Sequence, residues 1–203
     1  ALDARWEKTL QGSFNKLLVI DDLADRNHCC DVLLDHNIVL EMDERYVGLT
    51  PSTTVKILGP NFALLQPEYE KAHKVIAPSY GPVKQILINF GGAANVTLTS
   101  KVLQALSKTD TSSMHMDVVL NSESFEYDIV CSLIRNFESA SITSSVPNLI
   151  PLLQSTDLAI GASGVACLER ICLGIPSLVF SVAKNQTPIA EALNSEKQVV
   201  YLG

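Results

Sequence analysis

From Lys84 onward, short runs of Val, Ile and Leu recur between stretches with helical periodicity, and this rhythm limits the possible folds more than any other feature of the chain. The runs are Lys84 to Phe90, Met116 to Leu120, Ser141 to Thr143, Asp157 to Ile160, Ser177 to Val182 and Val199 to Leu202. Helices are expected between them, near residues 95 to 108, 124 to 137, 148 to 155, 163 to 173 and 187 to 194, with Asn95, Ser124 and Asn148 as N-caps. Strands that are apolar on both faces need helices on both sides, so the pattern predicts an α/β fold with a parallel, doubly wound C-terminal sheet. Ligands of such sheets sit beyond the carboxyl ends of the strands. The glycine turns of this chain fall at those ends.

Residues 157 to 186 carry the strongest chemical signal: strand, Gly-Ser-Gly turn, helix, Gly-Pro turn, strand and polar loop. A turn containing Gly161, Ser163 and Gly164 exposes backbone N–H groups at a helix start, where the helix dipole favours an anion, so it predicts a phosphate seat. Glu169 lies six residues beyond Ser163, roughly 9 Å along a helix, with its side chain leaning back toward the turn. A carboxylate there can hold the diol of a ribose attached to the phosphate. The structural alternative for Glu169 is a salt bridge. A second turn, Phe90-Gly91-Gly92, follows the strongest predicted strand and fits a second anion contact. Asn185 and Gln186 close a third strand end, where they can bind sugar or phosphate; helix capping is an equal alternative for Asn185.

Residues 1 to 62 offer one helix (Leu2 to Leu10), a strand at Lys16 to Ile20, a short strand near Val32 to Leu34 and another at Val55 to Leu58. That is too little for a complete α/β domain, so this portion reads as the back end of a longer one, joined by a linker at Gly59 to Pro67 to a nucleotide-binding domain over residues 63 to 203. The turn with Asp21, Asp22 and Asp25 and the run Glu41, Asp43, Glu44 are expected to be solvated. The net charge of −7, without a basic cluster, argues against binding nucleic acid or an anionic membrane by general electrostatics. Five cysteines and four histidines show no zinc or redox spacing, so buried thiols in a reducing cytoplasm, and no metal or other cofactor, are expected. The apolar run Ile171 to Ala183 is too short to span a bilayer.

The runs Val19-Ile20-Asp21-Asp22-Leu23-Ala24-Asp25-Arg26, Asp31 to Asn37, Leu58-Gly59-Pro60 through Leu65, Phe90-Gly91-Gly92, Glu169-Arg170 to Pro176 and Asn185-Gln186 together resemble the UDP-sugar hydrolases of pseudaminic acid biosynthesis. The resemblance spans nearly the whole chain. It implies the two-domain glycosyltransferase-B (GT-B) architecture shared with the peptidoglycan transferase that uses UDP-N-acetylglucosamine. It also implies metal-free hydrolysis of a UDP-linked diacetamido-trideoxy sugar to free sugar and UDP, on a route that supplies flagellin glycosylation. By the resemblance Glu169 matches the ribose-binding glutamate, and Ser163 and Gly164 match the diphosphate turn. Gly91 and Gly92 match the donor-side loop, Asn185 an active-site asparagine and Gln186 its neighbour. The family's Gly-x-Gly-His loop, which carries the general base, has no counterpart in these residues. Val165, Ala166, Ala93 and Ala94 stand where the family usually has polar side chains. The resemblance therefore implies a chain that binds UDP or a UDP-sugar but lacks the base needed for turnover. A UDP-sugar glycosyltransferase and a non-catalytic nucleotide-binding module are the alternative readings.

Overall fold

The computed structural model describes residues 2–76, 81–91, 95–144 and 146–203. They divide into two compact units, Ala1–Leu64 and Leu65–Gly203.

In the first unit, helix α1 (Ala4–Thr9) begins where the Asp3 carboxylate accepts the N–H groups of Arg5 and Trp6, which satisfies donors the helix cannot use. Strands β1 (Leu18–Ile20), β2 (Val32–Asp35) and β3 (Val55–Leu58) form a parallel sheet in that order. Leu33, Cys30 and Tyr46 make its core. Of the aspartate turn expected to be solvated, Asp22 and Asp25 are exposed, but Asp21 is buried directly after β1. Its carboxylate meets Arg26 Nη2 at 2.6 Å and accepts the Tyr46 hydroxyl at 3.1 Å. Asp35, at the end of β2, accepts Arg45 Nε at 2.7 Å and the same hydroxyl at 2.9 Å. An Asp-rich turn normally faces water; here two arginines and one tyrosine supply the donors that permit burial. Glu41, Asp43 and Glu44 are exposed, as expected.

The second unit contains strands β4 (Gln85–Asn89), β5 (His115–Val119), β6 (Ala140–Thr143), β7 (Leu158–Ala162), β8 (Ser177–Phe180) and β9 (Val200–Tyr201). Its helices are α2 (Pro67–His73), α3 (Val96–Leu106), α4 (Tyr127–Ile134), α5 (Ile150–Leu153), α6 (Val165–Cys172) and α7 (Thr187–Ser195). All strand pairs are parallel, in the order β6-β5-β4-β7-β8-β9. The chain thus starts at the middle, walks to one edge, returns and walks to the other. Where the direction reverses, between β4 and β7, flanking connections leave to opposite sides and open a crevice.

The sheet is apolar on both faces. Ile86, Ile88 and Phe90 pack with Val102 and Leu103 of α3 and Val130 of α4. Leu87 and Ala159 pack against Tyr69 of α2, Leu153 of α5 and Leu173 after α6. Each fully buried aliphatic side chain contributes about 1.5–3 kcal/mol, and the two-sided covering is what the unbroken apolar strands require.

Asn95 caps α3, accepting the Leu98 N–H at 2.9 Å. Ser124 does not cap α4. That helix starts at Tyr127, after Glu126 in the left-handed region, and the preceding turn is organised by Asn121, whose side chain accepts the Glu123 N–H at 3.0 Å. Asn148 accepts the Ile150 N–H at 3.1 Å, but the N-cap is Leu149 and the helix is a single turn. Helix α2 has no counterpart among the sequence-based expectations.

Candidate functional site

Two strand ends border the crevice. After β4, the buried Asn89 side chain accepts the Gly91 N–H at 3.2 Å, and Gly91 has φ of 83°, a conformation suited to glycine. Gly92, with Ala93 and Ala94, lies outside the described residues. At β7, Gly161 is not part of the turn, as the sequence had suggested, but a strand residue paired with Asn89. A Cβ on Gly161 would stand 2.0 Å from the Asn89 carbonyl oxygen and 3.1 Å from Arg170 Nη1. Only glycine allows the two strands and the guanidinium to approach this closely.

Ser163 is buried and turned into the sheet. Its N–H donates to the Phe180 carbonyl at 3.1 Å, and its hydroxyl lies 3.4 Å from that oxygen and 3.3 Å from the Gln186 carbonyl. The donors this turn can offer a ligand are therefore backbone ones at the start of α6. Gly164 is the N-cap, and the first-turn N–H groups of Val165 and Ala166 have no carbonyl one turn earlier to bond. Gln186 closes the turn from the β8–α7 connection. Its Oε1 accepts the Val182 N–H at 3.1 Å, and its Nε2 lies 3.3 Å from where a Gly164 Cβ would stand. Asn185, in the 3-10 turn Lys184–Gln186, is exposed and does not cap α7.

A cleft of about 390 Å³ opens beyond the carboxyl ends of β4, β5 and β6. Asn89 and Gly91, Asn121, Asn148 and, from α6, Ala166 and Glu169 are among its lining residues. The structure thus brings Gly91 and Glu169 to one cavity and Gly164 and Gln186 to one turn, and Ser163, Gly164, Asn185 and Gln186 are not among the residues that line the cleft.

Glu169 is half-buried. Burial pushes its carboxyl above the usual glutamate range, and the neighbouring Tyr69 hydroxyl and Arg170 guanidinium pull in the opposite direction. The salt-bridge alternative does not describe it: among the described residues Glu169 has no ion pair within 4.0 Å. Arg170, next in sequence, points the other way. It is 1% exposed, and it donates from Nη2 to the Ala162 carbonyl at 2.8 Å and from Nε to Ser177 Oγ at 3.2 Å. It clamps β7 to β8 directly behind the glycine turn. Burial lowers its pKa.

Sequence reasoning missed Tyr69, Asn89 and the clamping role of Arg170. A signal for α2 did exist: Pro67 at the first helical position, Glu68 and Glu70 in the first turn, and Lys71 and His73 in the last, each favourable to the helix dipole. Among the described residues, no group of three or more His, Cys, Asp or Glu side chains could hold a metal ion, and no helix is long and apolar enough to cross a membrane.

The chain is 27% identical over 186 residues to an uncharacterized protein of Methanocaldococcus jannaschii, covering 88% of this chain and 38% of that protein. It is also 27% identical over 146 residues to the spore coat polysaccharide biosynthesis protein SpsG of Bacillus subtilis, covering 71% and 43%. It therefore spans about two fifths of the length of these curated relatives. No protein-family model matches the chain. Among solved structures, Acinetobacter baumannii MurG superposes with a TM-score of 0.62 at 12% identity, over 98% of this chain and 56% of that one. Arabidopsis thaliana UGT89C1, complexed with UDP, gives 0.62 at 12% identity over 98% and 57%. The fold is GT-B-like. The UDP-GlcNAc 2-epimerase of Neisseria meningitidis, bound to UDP-GlcNAc, gives 0.51 at 17% identity over 83% and 49%.

Proposed function

We propose that Leu65–Gly203 is the nucleotide-binding half of a UDP-sugar enzyme, and that Ala1–Leu64 belongs to the second, acceptor-side α/β domain of the same protein. The observation that carries this reading is the convergence of Gly91 and Glu169 on a cleft beside the β4/β7 crevice, with the N-terminus of α6 at the neighbouring strand end. In this reading the amides of Gly164, Val165 and Ala166 receive the diphosphate, and the Glu169 carboxylate accepts the ribose hydroxyls. Asn185 and Gln186 face the sugar side of the diphosphate. As the bond to the sugar breaks, negative charge grows on UDP, and fixed amide dipoles stabilise it without reorganising.

The reaction we assign to the whole protein is hydrolysis of a UDP-linked diacetamido-trideoxy sugar to UDP and free sugar, in the manner of the pseudaminic acid pathway. The similarity to a polysaccharide biosynthesis protein supports a sugar-building role. A UDP-sugar glycosyltransferase is the second reading, favoured by the superposition on MurG. Both reactions place UDP in the same cleft and differ in whether water or an acceptor hydroxyl attacks.

Calorimetric titration with UDP tests the shared part. The wild-type chain is expected to bind UDP, and Glu169→Ala to bind at least tenfold more weakly, from the loss of a charge-assisted contact of about 1.5–3 kcal/mol. Equal affinity of the two proteins, or no binding by either, refutes the assignment. With the full-length protein and the UDP-sugar, product that forms without an acceptor supports hydrolysis, and acceptor-dependent product supports transfer.

A further inference from the structure

We propose that Tyr69 is a positioning residue for Glu169, its buried phenol hydroxyl holding the carboxylate in the orientation that receives the ribose diol. The inference rests on the reading of Glu169 given above. Tyr69 is 1% exposed, yet its hydroxyl oxygen has no hydrogen-bond partner of good geometry among the described residues. It faces two groups, the Glu169 carboxyl and the Leu149 amide. A buried hydroxyl left unpaired is unfavourable, and a phenylalanine would fill the same space without that penalty. The hydroxyl is therefore explained best by a bond completed when Glu169 is ordered by a ligand.

The scaffold fits this role. His73, one turn after Tyr69, donates from Nδ1 to the carbonyl oxygen of Cys172 at 2.6 Å. Cys172 lies about one turn beyond Glu169 on α6, so α2 is pinned at its far end and Tyr69 is held against Glu169. A carboxylate offers about four lone-pair sites, so accepting the Tyr69 O–H at one of them leaves enough for both ribose hydroxyls. The phenol remains a donor at neutral pH, since burial and the Glu169 carboxylate both push its pKa up. The titratable group facing Glu169 is Tyr69 from α2; Arg170, next on its own helix, points away and acts on the carboxyl only through its charge. The Cys172 thiol, itself raised by burial, faces Tyr69.

The test titrates UDP and 2′,3′-dideoxyuridine diphosphate into wild type, Tyr69→Phe and Glu169→Gln between about pH 5 and 8. Wild type is expected to prefer UDP, and Glu169→Gln to lose that preference. Tyr69→Phe is expected to weaken UDP on the order of fivefold, leave the dideoxy ligand unchanged, and move the acidic limb of the UDP affinity profile to higher pH. Far-UV circular dichroism and the melting temperature of each variant establish that it is folded. If Glu169→Gln loses the preference while Tyr69→Phe matches wild type, or weakens both ligands equally, the positioning role falls and the reading of Glu169 stands. If Glu169→Gln keeps the preference, or wild type has none, both fall.

Discussion

Gly161→Ala is the substitution whose outcome the packing of β4 against β7 determines most directly. Glycine to alanine in compatible backbone usually stabilises a protein by about 0.4–1 kcal/mol, because the unfolded chain loses freedom. At Gly161 the sign should reverse. The new Cβ would stand 2.0 Å from the Asn89 carbonyl oxygen, whereas ordinary contact begins near 3.4 Å. The obstructing atom is backbone in the middle of the sheet, so β4 and β7 must separate by on the order of 1 Å at their carboxyl ends. Overpacking costs about 1–3 kcal/mol, and one or two weakened ladder bonds add about 1 kcal/mol each, giving about 2–5 kcal/mol. For a unit of this size that corresponds to a fall in Tm of roughly 5–20 °C. Urea unfolding followed by circular dichroism should show a lower midpoint at unchanged slope. Gly164→Ala serves as the control, since its nearest neighbour is the movable Nε2 of Gln186 at 3.3 Å, and loss of a glycine N-cap costs about 1 kcal/mol or less. If Gly161→Ala lies within about 0.5 kcal/mol of wild type, or is more stable, the account of the crevice as a close-packed strand pair is wrong.

Two further substitutions separate structural from ligand-binding roles on α6. Arg170→Ala should destabilise the second unit by about 3–5 kcal/mol, through a cavity and two lost donors. Arg170→Met keeps most of the volume but removes both donors, so it should still lose about 1–3 kcal/mol; wild-type stability of this variant in urea unfolding would refute the clamp. Glu169→Gln should raise the melting temperature at neutral pH while weakening UDP. The folded carboxyl binds its proton more tightly than the unfolded one, so the ionised form is a cost to stability above the folded pKa. That cost diminishes as pH falls through the folded pKa and is gone below the unfolded value. The advantage of the variant in thermal melts should therefore shrink on acidification, and an advantage that grows instead would overturn the assignment of burial as the dominant influence.

The strands of the second unit were legible because each is an apolar run bounded by polar or glycine residues, and a sheet covered on both faces demands that pattern. Helix starts were legible where one side chain decides them, as at Asn95, and illegible at Ser124, where an asparagine three residues earlier had already set the turn. Within the site, Glu169 stood out as an acid among apolar neighbours, and the structure places it in the cleft. The reason for Gly161 was not legible: a glycine in a strand next to a Gly-Ser-Gly turn looks like part of the turn, and only the register with Asn89 reveals the close approach. Ser163 misled for the opposite reason. A serine in a glycine turn has the chemistry of a phosphate ligand, but its hydroxyl is directed at two protein carbonyls contributed by residues 17 and 23 positions away.

These failures share one cause, and it bears on how the cleft works. The residues that local sequence could not explain, Gly161, Ser163, Arg170 and Tyr69, all make contacts across elements at the switch point rather than along one element. Arg170 reaches from α6 to β7 and the start of β8, Ser163 ties the end of β7 to the end of β8, and Tyr69 lies under Glu169 from α2. Arg170 and Ser163 thereby fix the start of α6 against the sheet before any ligand arrives. A site whose own donors are mostly backbone amides needs this, because amides cannot rotate toward a ligand and stabilise charge only where the backbone already holds them. The alanine and valine at the first turn of α6 then remove side-chain donors without removing the site. Its affinity for a diphosphate should consequently depend on Arg170 and Gly161, which touch no ligand in this reading, as strongly as on Glu169, which does.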